Sequence, residues 1–163
     1  MDYLYTPWRY RYVAEAGRDS GVCIFCDALA AGDDQERRIL YRGEKCFIIL
    51  NLYPYTTGHS MVVPYAHVPD LASCDAATLA EMMLLAQRLQ AALAGVYKPD
   101  GYNLGMNLGR CAGAGVTGHL HLHVLPRWAG DSSFMTTVAE TRLHPEEISE
   151  TYRKLYGALA DLP

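Results

Sequence analysis

The chain has 163 residues, half of them hydrophobic and a fifth charged, which is enough for one domain with a sizeable core and too little for two full catalytic domains. Fourteen Lys and Arg against eighteen Asp and Glu leave a net charge of -4, so there is no global basic field to hold a nucleic acid, and any phosphate must be met locally. No apolar run approaches the roughly 18 residues of a membrane span, and Met1 to Val13 lacks an apolar leader core, so no membrane association and no export are expected.

Taken in chain order, residues 1–21 form an aromatic and basic arm, with Tyr3, Tyr5, Trp8, Arg9, Tyr10, Arg11 and Tyr12 close together. Such an arm is expected to pack across the body of the domain or onto a partner subunit. Of five cysteines, an odd number, only Cys23 and Cys26 are closely spaced. A disulfide framework is therefore not expected, and a reducing compartment, the cytoplasm, is. Cys46 to Leu50 and His59 to Val63 read as two antiparallel strands joined by the turn-rich loop from Asn51 to Gly58.

From Asp75, a plausible cap, to about Val96, Leu79, Met82, Met83, Ala86, Leu89, Leu93 and Val96 recur every three or four positions and predict a long helix. Tyr102 to Asn107 and His119 to Leu125 alternate as strands, separated by a stretch containing Gly109, Gly113 and Gly115. A last helix is predicted over 145–160, with Pro145 at its first position, Glu146 and Glu147 in its first turn, and Ile148, Tyr152, Leu155 and Leu159 as one stripe. The order predicts a single α+β domain, 1–163, around an antiparallel sheet.

Three of the six histidines stand in the segment His119-Leu120-His121-Leu122-His123-Val124-Leu125. On a strand their imidazoles line one face about 6.6 to 7 Å apart, with the apolar residues on the other. Such a row serves two chemistries. Two histidines with a third ligand can hold a metal that activates water. Alternatively, one imidazole attacks phosphorus while a hydrogen bond at its other nitrogen sets the tautomer. The glycine-rich stretch before the row favours phosphorus, because it can bring backbone N–H groups close to phosphate oxygens. Cys23-Ile24-Phe25-Cys26 has the spacing for two thiolates on one zinc, which needs two further ligands; the alternative is two ordinary reduced thiols.

The histidine row matches the signature of the histidine triad family of nucleotidyl hydrolases and transferases. The resemblance continues through Asn51, the Gly58-His59 pair, Val62, Val63, Pro64 and His67, and covers roughly 23 to 128. Within the family, Thr6-Pro7-Trp8-Arg9, Asn51-Leu52-Tyr53-Pro54-Tyr55 and Pro126-Arg127-Trp128-Ala129-Gly130-Asp131 look most like the diadenosine tetraphosphate phosphorylase branch. The resemblance implies an antiparallel sheet of about five strands with a long central helix and a C-terminal helix, and a homodimer.

It also implies residue roles. His121 is the nucleophile that forms a nucleotidyl-imidazole intermediate, with His119 and His123 as its catalytic companions, and His123 orients the ring and binds phosphate oxygens. Asn51 holds the ribose, with His59 beside it in the substrate site. Asn107, Gly113, Gly115 and Thr117 face the phosphates, and Arg127 neutralises the leaving polyphosphate. Relatives such as the hexose-1-phosphate uridylyltransferases imply a structural zinc on Cys23, Cys26, His67 and His119, and no organic cofactor is expected. The substrates implied are a dinucleoside polyphosphate and inorganic phosphate, giving ADP and ATP from diadenosine tetraphosphate. Hydrolysis of such dinucleotides or of adenosine phosphoramidates, and a nucleotide-binding signalling module with incidental turnover, are the alternatives.

Overall fold

The computed structural model describes residues 22–132 and 145–163, so the arm at 1–21 lies outside the described residues. Two short helices, α1 (Ile24–Ala30) and α2 (Asp34–Arg37), lead into β1 (Ile39–Arg42), β2 (Cys46–Leu50) and β3 (Ser60–Pro64). The long α3 (Ala76–Tyr97), β4 (Gly101–Gly105), β5 (Leu122–Arg127) and α4 (Ile148–Asp161) follow. The strands form an antiparallel sheet in the order β1-β2-β3-β5-β4. No helix among the described residues is long and apolar enough to cross a membrane.

Alternation along the strands sorts the apolar side chains onto two faces. Leu40, Ile48, Leu50, Val62, Leu122 and Val124 pack against Met82, Leu89 and Leu93 of α3 and Leu155 and Leu159 of α4. Ile39, Phe47, Ile49, Met61 and Val63 pack against Phe25 and Ala28 of α1. Each fully buried Leu, Ile or Phe in these layers contributes about 1.5–3 kcal/mol of transfer free energy.

The Asp75 carboxylate accepts the Thr78 N–H at 2.8 Å, which caps α3 where the sequence places its start. Met83, predicted on the core stripe, is 55% exposed, while Leu85 and Ala92 are buried. The buried face keeps the three-four rhythm through Thr78, Met82, Leu85, Ala86, Leu89, Ala92 and Leu93, and Met83 lies one residue, about 100°, round from it. The C-terminal helix begins at Ile148 and not at Pro145. Glu146 is held outside the helix because its carboxylate accepts from Tyr97 Oη, Thr151 Oγ1 and Lys154 Nζ.

Arg88, on α3, ties down the far end of α4. Its Nη1 donates to Pro163 O at 2.6 Å and its Nη2 to Leu159 O and Leu162 O at 2.8 Å, with the guanidinium 4.7 Å over the Tyr41 ring. These acceptors include carbonyls at a helix end with no intrahelical partner. Arg88→Ala is expected to lower stability by about 2 kcal/mol. Urea unfolding checks this, and an unchanged midpoint would mean that the clamp contributes nothing.

Candidate active site

The histidine row is less regular than a uniform strand. Pairing of β5 with β3 begins at Leu122, opposite Val62, not at His119. The reason is Pro64, which has no N–H to offer a ladder and whose carbonyl accepts the His119 Nε2–H at 2.9 Å. The segment stays tied to the body by Leu120 N–H donating to Val68 O at 2.7 Å, and Leu120 stays in the helix-side core. His119 and His121 stand on the α1 side, where Phe25 lies 5.3 and 5.2 Å from their ring centroids. His121 and His123 converge to 4.8 Å between centroids, closer than the strand repeat predicts.

Each ring of the row is held in a definite tautomer by its neighbours. His121 donates Nδ1–H to the His119 carbonyl at 2.8 Å, which leaves Nε2 as a lone pair. Around His123 the logic starts from a backbone donor. Tyr55 N–H reaches His59 Nδ1 at 3.1 Å, and a main-chain N–H can only donate, so His59 carries its proton on Nε2. His59 Nε2 then donates to His123 Nδ1 at 2.9 Å, and His123 is left with a proton on Nε2. The adjacent rings therefore present opposite functions, a base at His121 and a donor at His123. Burial pushes the pKa of both rings down, and for His123, with His121 beside it, down to about 4, so both are neutral at pH 7.

The other expected site residues fall into distinct places. His59 has no exposed surface and sits behind His123, with Nε2 on that ring. Asn51 uses its amide on the same loop: Nδ2 lies 3.2 Å from His59 Nδ1 and Oδ1 accepts Tyr53 N–H at 2.9 Å. Asn107 lies past the end of β4, in the connection to β5. That connection folds as a 3₁₀ turn at Arg110–Ala112 between Gly109 (φ 84°) and Gly113 (φ 89°), conformations that glycine adopts without cost. Gly113, Gly115 and Thr117 are exposed on it.

Arg127, at the end of β5, gives Nε and Nη2 to the Asp131 carboxylate at 2.6 and 2.7 Å, and Nη1 to Asn103 Oδ1 at 2.6 Å. Its guanidinium is thus fixed by Asp131, which closes the Pro126–Asp131 motif and to which the sequence assigned no role. Trp128 packs edge-on against Tyr97 at the end of α3, 6.5 Å between centroids.

Cys23, Cys26, His67 and His119 come together from three separate segments, with one ligand atom of each within 4.8 Å of all the others. Cys23 Sγ and Cys26 Sγ lie 3.2 and 3.6 Å from His119 Nδ1, and Cys26 Sγ lies 3.4 Å from His67 Nδ1. Ligand edges of about 3.3–3.8 Å are those of a tetrahedral zinc with bonds of about 2.0–2.3 Å, so the donor set fits that ion. The bond from His119 Nε2–H to Pro64 O turns the Nδ1 lone pair toward the thiols. Without a cation, burial and then the neighbouring Cys23 push the Cys26 thiol pKa up. A dication would reverse that effect.

Fold and site together define a class: a small α+β domain whose histidine row sets a neutral imidazole with a free lone pair beside a donor, next to a Cys2His2 cluster. A family model for the HIT domain matches residues 33–130, more than half of the chain. A Mycobacterium tuberculosis protein named AP-4-A phosphorylase is 38% identical over 167 aligned positions, spanning 98% of this chain and 85% of that protein. Among solved structures, a zinc-bound histidine triad family protein from Mycobacterium smegmatis superposes with a TM-score of 0.70 at 34% identity, covering 86% of this chain and 95% of that one. A hypothetical histidine triad nucleotide-binding protein from Sulfolobus tokodaii gives 0.70 at 29%, covering 86% and 93%. The chain belongs to the histidine triad family.

Proposed function

We propose that the protein is a nucleotidyltransferase that splits dinucleoside polyphosphates in two displacements, with inorganic phosphate as the acceptor. The observation that carries the reading is the pair of opposed tautomers, His121 with a lone pair on Nε2 and His123 with a proton there. In the first step His121 Nε2 attacks the α-phosphorus and forms a P–N bond. The bond from phosphorus to the bridging oxygen breaks, and the departing nucleotide takes the electron pair while the His123 Nε2–H hydrogen-bonds the developing charge. In the second step a phosphate oxygen attacks the same phosphorus, the P–N bond breaks, and ADP leaves. Diadenosine tetraphosphate then yields ATP first and ADP second.

Support for phosphate over water comes from the AP-4-A phosphorylase relative, which matches along nearly the whole chain. The glycine-rich connection before β5 is the candidate phosphate cradle, with Asn107, Gly113, Gly115 and Thr117 on it. Asn51 braces the loop that carries His59 and Tyr55 and holds the ribose side of the site. Arg127, fixed by Asp131 and Asn103, is the cation for the polyphosphate. Cys23, Cys26, His67 and His119 would hold a zinc ion, which supplies a cross-link between α1 and the row and no step of the reaction. The working unit is a cytoplasmic homodimer.

The test is product analysis on diadenosine tetraphosphate with and without phosphate. ADP and ATP in equal amounts, with turnover that depends on phosphate, are expected. AMP and ATP regardless of phosphate would replace phosphorolysis by hydrolysis. Nucleotide binding without any turnover would leave a binding module.

A further inference from the structure

We propose that Arg110 binds the acceptor phosphate of the second displacement and thereby selects phosphate over water. The inference rests on the phosphorolytic reading above and adds to it the residue that chooses the acceptor.

Water and inorganic phosphate differ as acceptors first in charge. Phosphate is an anion that must approach a second anion, the adenylyl group, on a chain whose net charge is -4. A cation near the histidine row that no carboxylate already neutralises relieves that repulsion. An arginine suits the task because its fork gives two parallel N–H bonds to one phosphate.

Most of the described lysines and arginines are engaged elsewhere. Arg37, Arg42, Lys45, Arg127, Arg153 and Lys154 each face an acid. Arg88 is bound to carbonyls at the end of α4. That leaves Arg38, Lys98 and Arg110. Arg38 is half-buried ahead of β1, at the outer edge of the sheet and three strands from β5, with Nη1 on Glu36 O. Lys98 caps the end of α3, just before β4 starts opposite Arg127, at the end of β5 away from the row. Arg110 is exposed, and its guanidinium has neither ion pair nor hydrogen bond among the described residues.

The place of Arg110 in the chain brings it to the row. β4 ends at Gly105, opposite His123, and the connection that follows returns to His119, so both of its ends lie on the row. Between them Val116 packs against the α1-side layer that holds Phe25, the ring beside His119 and His121. The connection therefore runs along the face of the sheet on which those two rings stand. Arg110 opens its 3₁₀ turn, closed by Ala112 N–H to Gly109 O at 3.3 Å and Gly113 N–H to Arg110 O at 3.1 Å. The charge is thus carried on a closed turn within the same stretch as the proposed phosphate cradle.

In the second displacement one phosphate oxygen supplies the electron pair of the new P–O bond, and the P–N bond returns its pair to His121 Nε2. Arg110 takes no part in these bonds. It holds two other oxygens of the acceptor, which orients the attacking one, and water offers it no charge to hold.

Burst and steady-state kinetics on diadenosine tetraphosphate separate this role from others. In Arg110→Gln the KM for phosphate is expected to rise by about tenfold or more, and the AMP share of the product at subsaturating phosphate to rise with it. The burst of ATP that reports the first displacement, followed without phosphate, is expected to stay within about twofold. Arg110→Lys keeps the charge and is expected to recover most of the loss in KM, and thermal melting of each variant reports whether the fold is retained.

A KM for phosphate unchanged in Arg110→Gln would overturn the proposal. So would a burst that falls in step with it, which would place Arg110 on the dinucleotide instead. A loss as large in Arg110→Lys as in Arg110→Gln would assign the effect to the shape of the turn and not to charge, and would overturn it too. The reading beneath fails separately: a wild-type protein that forms AMP regardless of phosphate, or no product at all, has no acceptor site for Arg110 to serve.

Discussion

Replacing His121 by asparagine is expected to lower turnover of diadenosine tetraphosphate by about 10⁴-fold or more while nucleotide affinity stays within about tenfold. The two effects separate because His121 does two things through two different atoms. Nδ1–H satisfies the buried His119 carbonyl, which leaves on Nε2 the lone pair that attacks phosphorus in the proposed reaction. An asparagine amide can still donate from the position of Nδ1, so the carbonyl keeps a partner and the row keeps its shape. It offers nothing at the position of Nε2, and no covalent intermediate can form. Rapid quench with labelled dinucleotide should trap an adenylylated wild-type protein and none in the variant. Full activity in the asparagine variant, or a wild-type protein that never becomes labelled under turnover, would remove the nucleophile from the account.

That experiment addresses a residue whose position was visible in the sequence, because alternation places side chains on a face without knowledge of the rest of the fold. The three histidines, the Cys23–Cys26 pair and the cap and buried stripe of α3 all depend on local spacing, and each is found close to where spacing puts it. What the spacing did not carry is which atom of each ring is protonated. That depends on contacts across the chain, from Tyr55 N–H to His59, from His59 to His123, and from His119 to Pro64. His59 enters as a substrate contact only through the family resemblance carried by the Gly58-His59 pair. Its full burial behind His123 follows from tertiary packing alone.

The early part of the sheet was harder to read for a related reason. β1 (Ile39–Arg42) has four residues, carries a register shift between Ile39 and Tyr41, and follows a left-handed residue at Arg38, φ 63°. Four residues with an irregularity give no clear period. α1 and α2 are too short for a helical stripe and are held by packing and by the Asp33 cap on Glu36 N–H. Arg127 shows the same limit at the level of charge. Sequence distance to Asp131 suggests nothing on a strand, but the turn after β5 folds the carboxylate back onto the guanidinium.

Loss of one ligand at the Cys2His2 cluster is expected to lower stability and activity together. In Cys26→Ala, zinc measured by atomic emission should fall from about one ion per chain to a small fraction of that, and the melting temperature by about 5–15 °C for a loss of about 2–4 kcal/mol. The cost is large because the four ligands close long loops: Cys23 and Cys26 sit at the start of α1, His67 follows β3, and His119 precedes β5. It reaches catalysis because His119 has three bonded atoms. Nδ1 faces the thiols, Nε2–H is held by Pro64 O, and its main-chain carbonyl accepts the Nδ1–H that fixes His121. Loss of the cluster removes one of the two anchors of the His119 ring, so the segment can shift and its carbonyl no longer fixes the tautomer of His121, the proposed nucleophile. Returning zinc to chelated wild-type protein should restore the melting temperature and turnover in parallel. Chelation that abolishes turnover while the melting temperature stays constant would point instead to a metal that takes part in the chemistry. Four protein donors within 4.8 Å of one another argue against that, since a catalytic zinc keeps one position open for water or substrate.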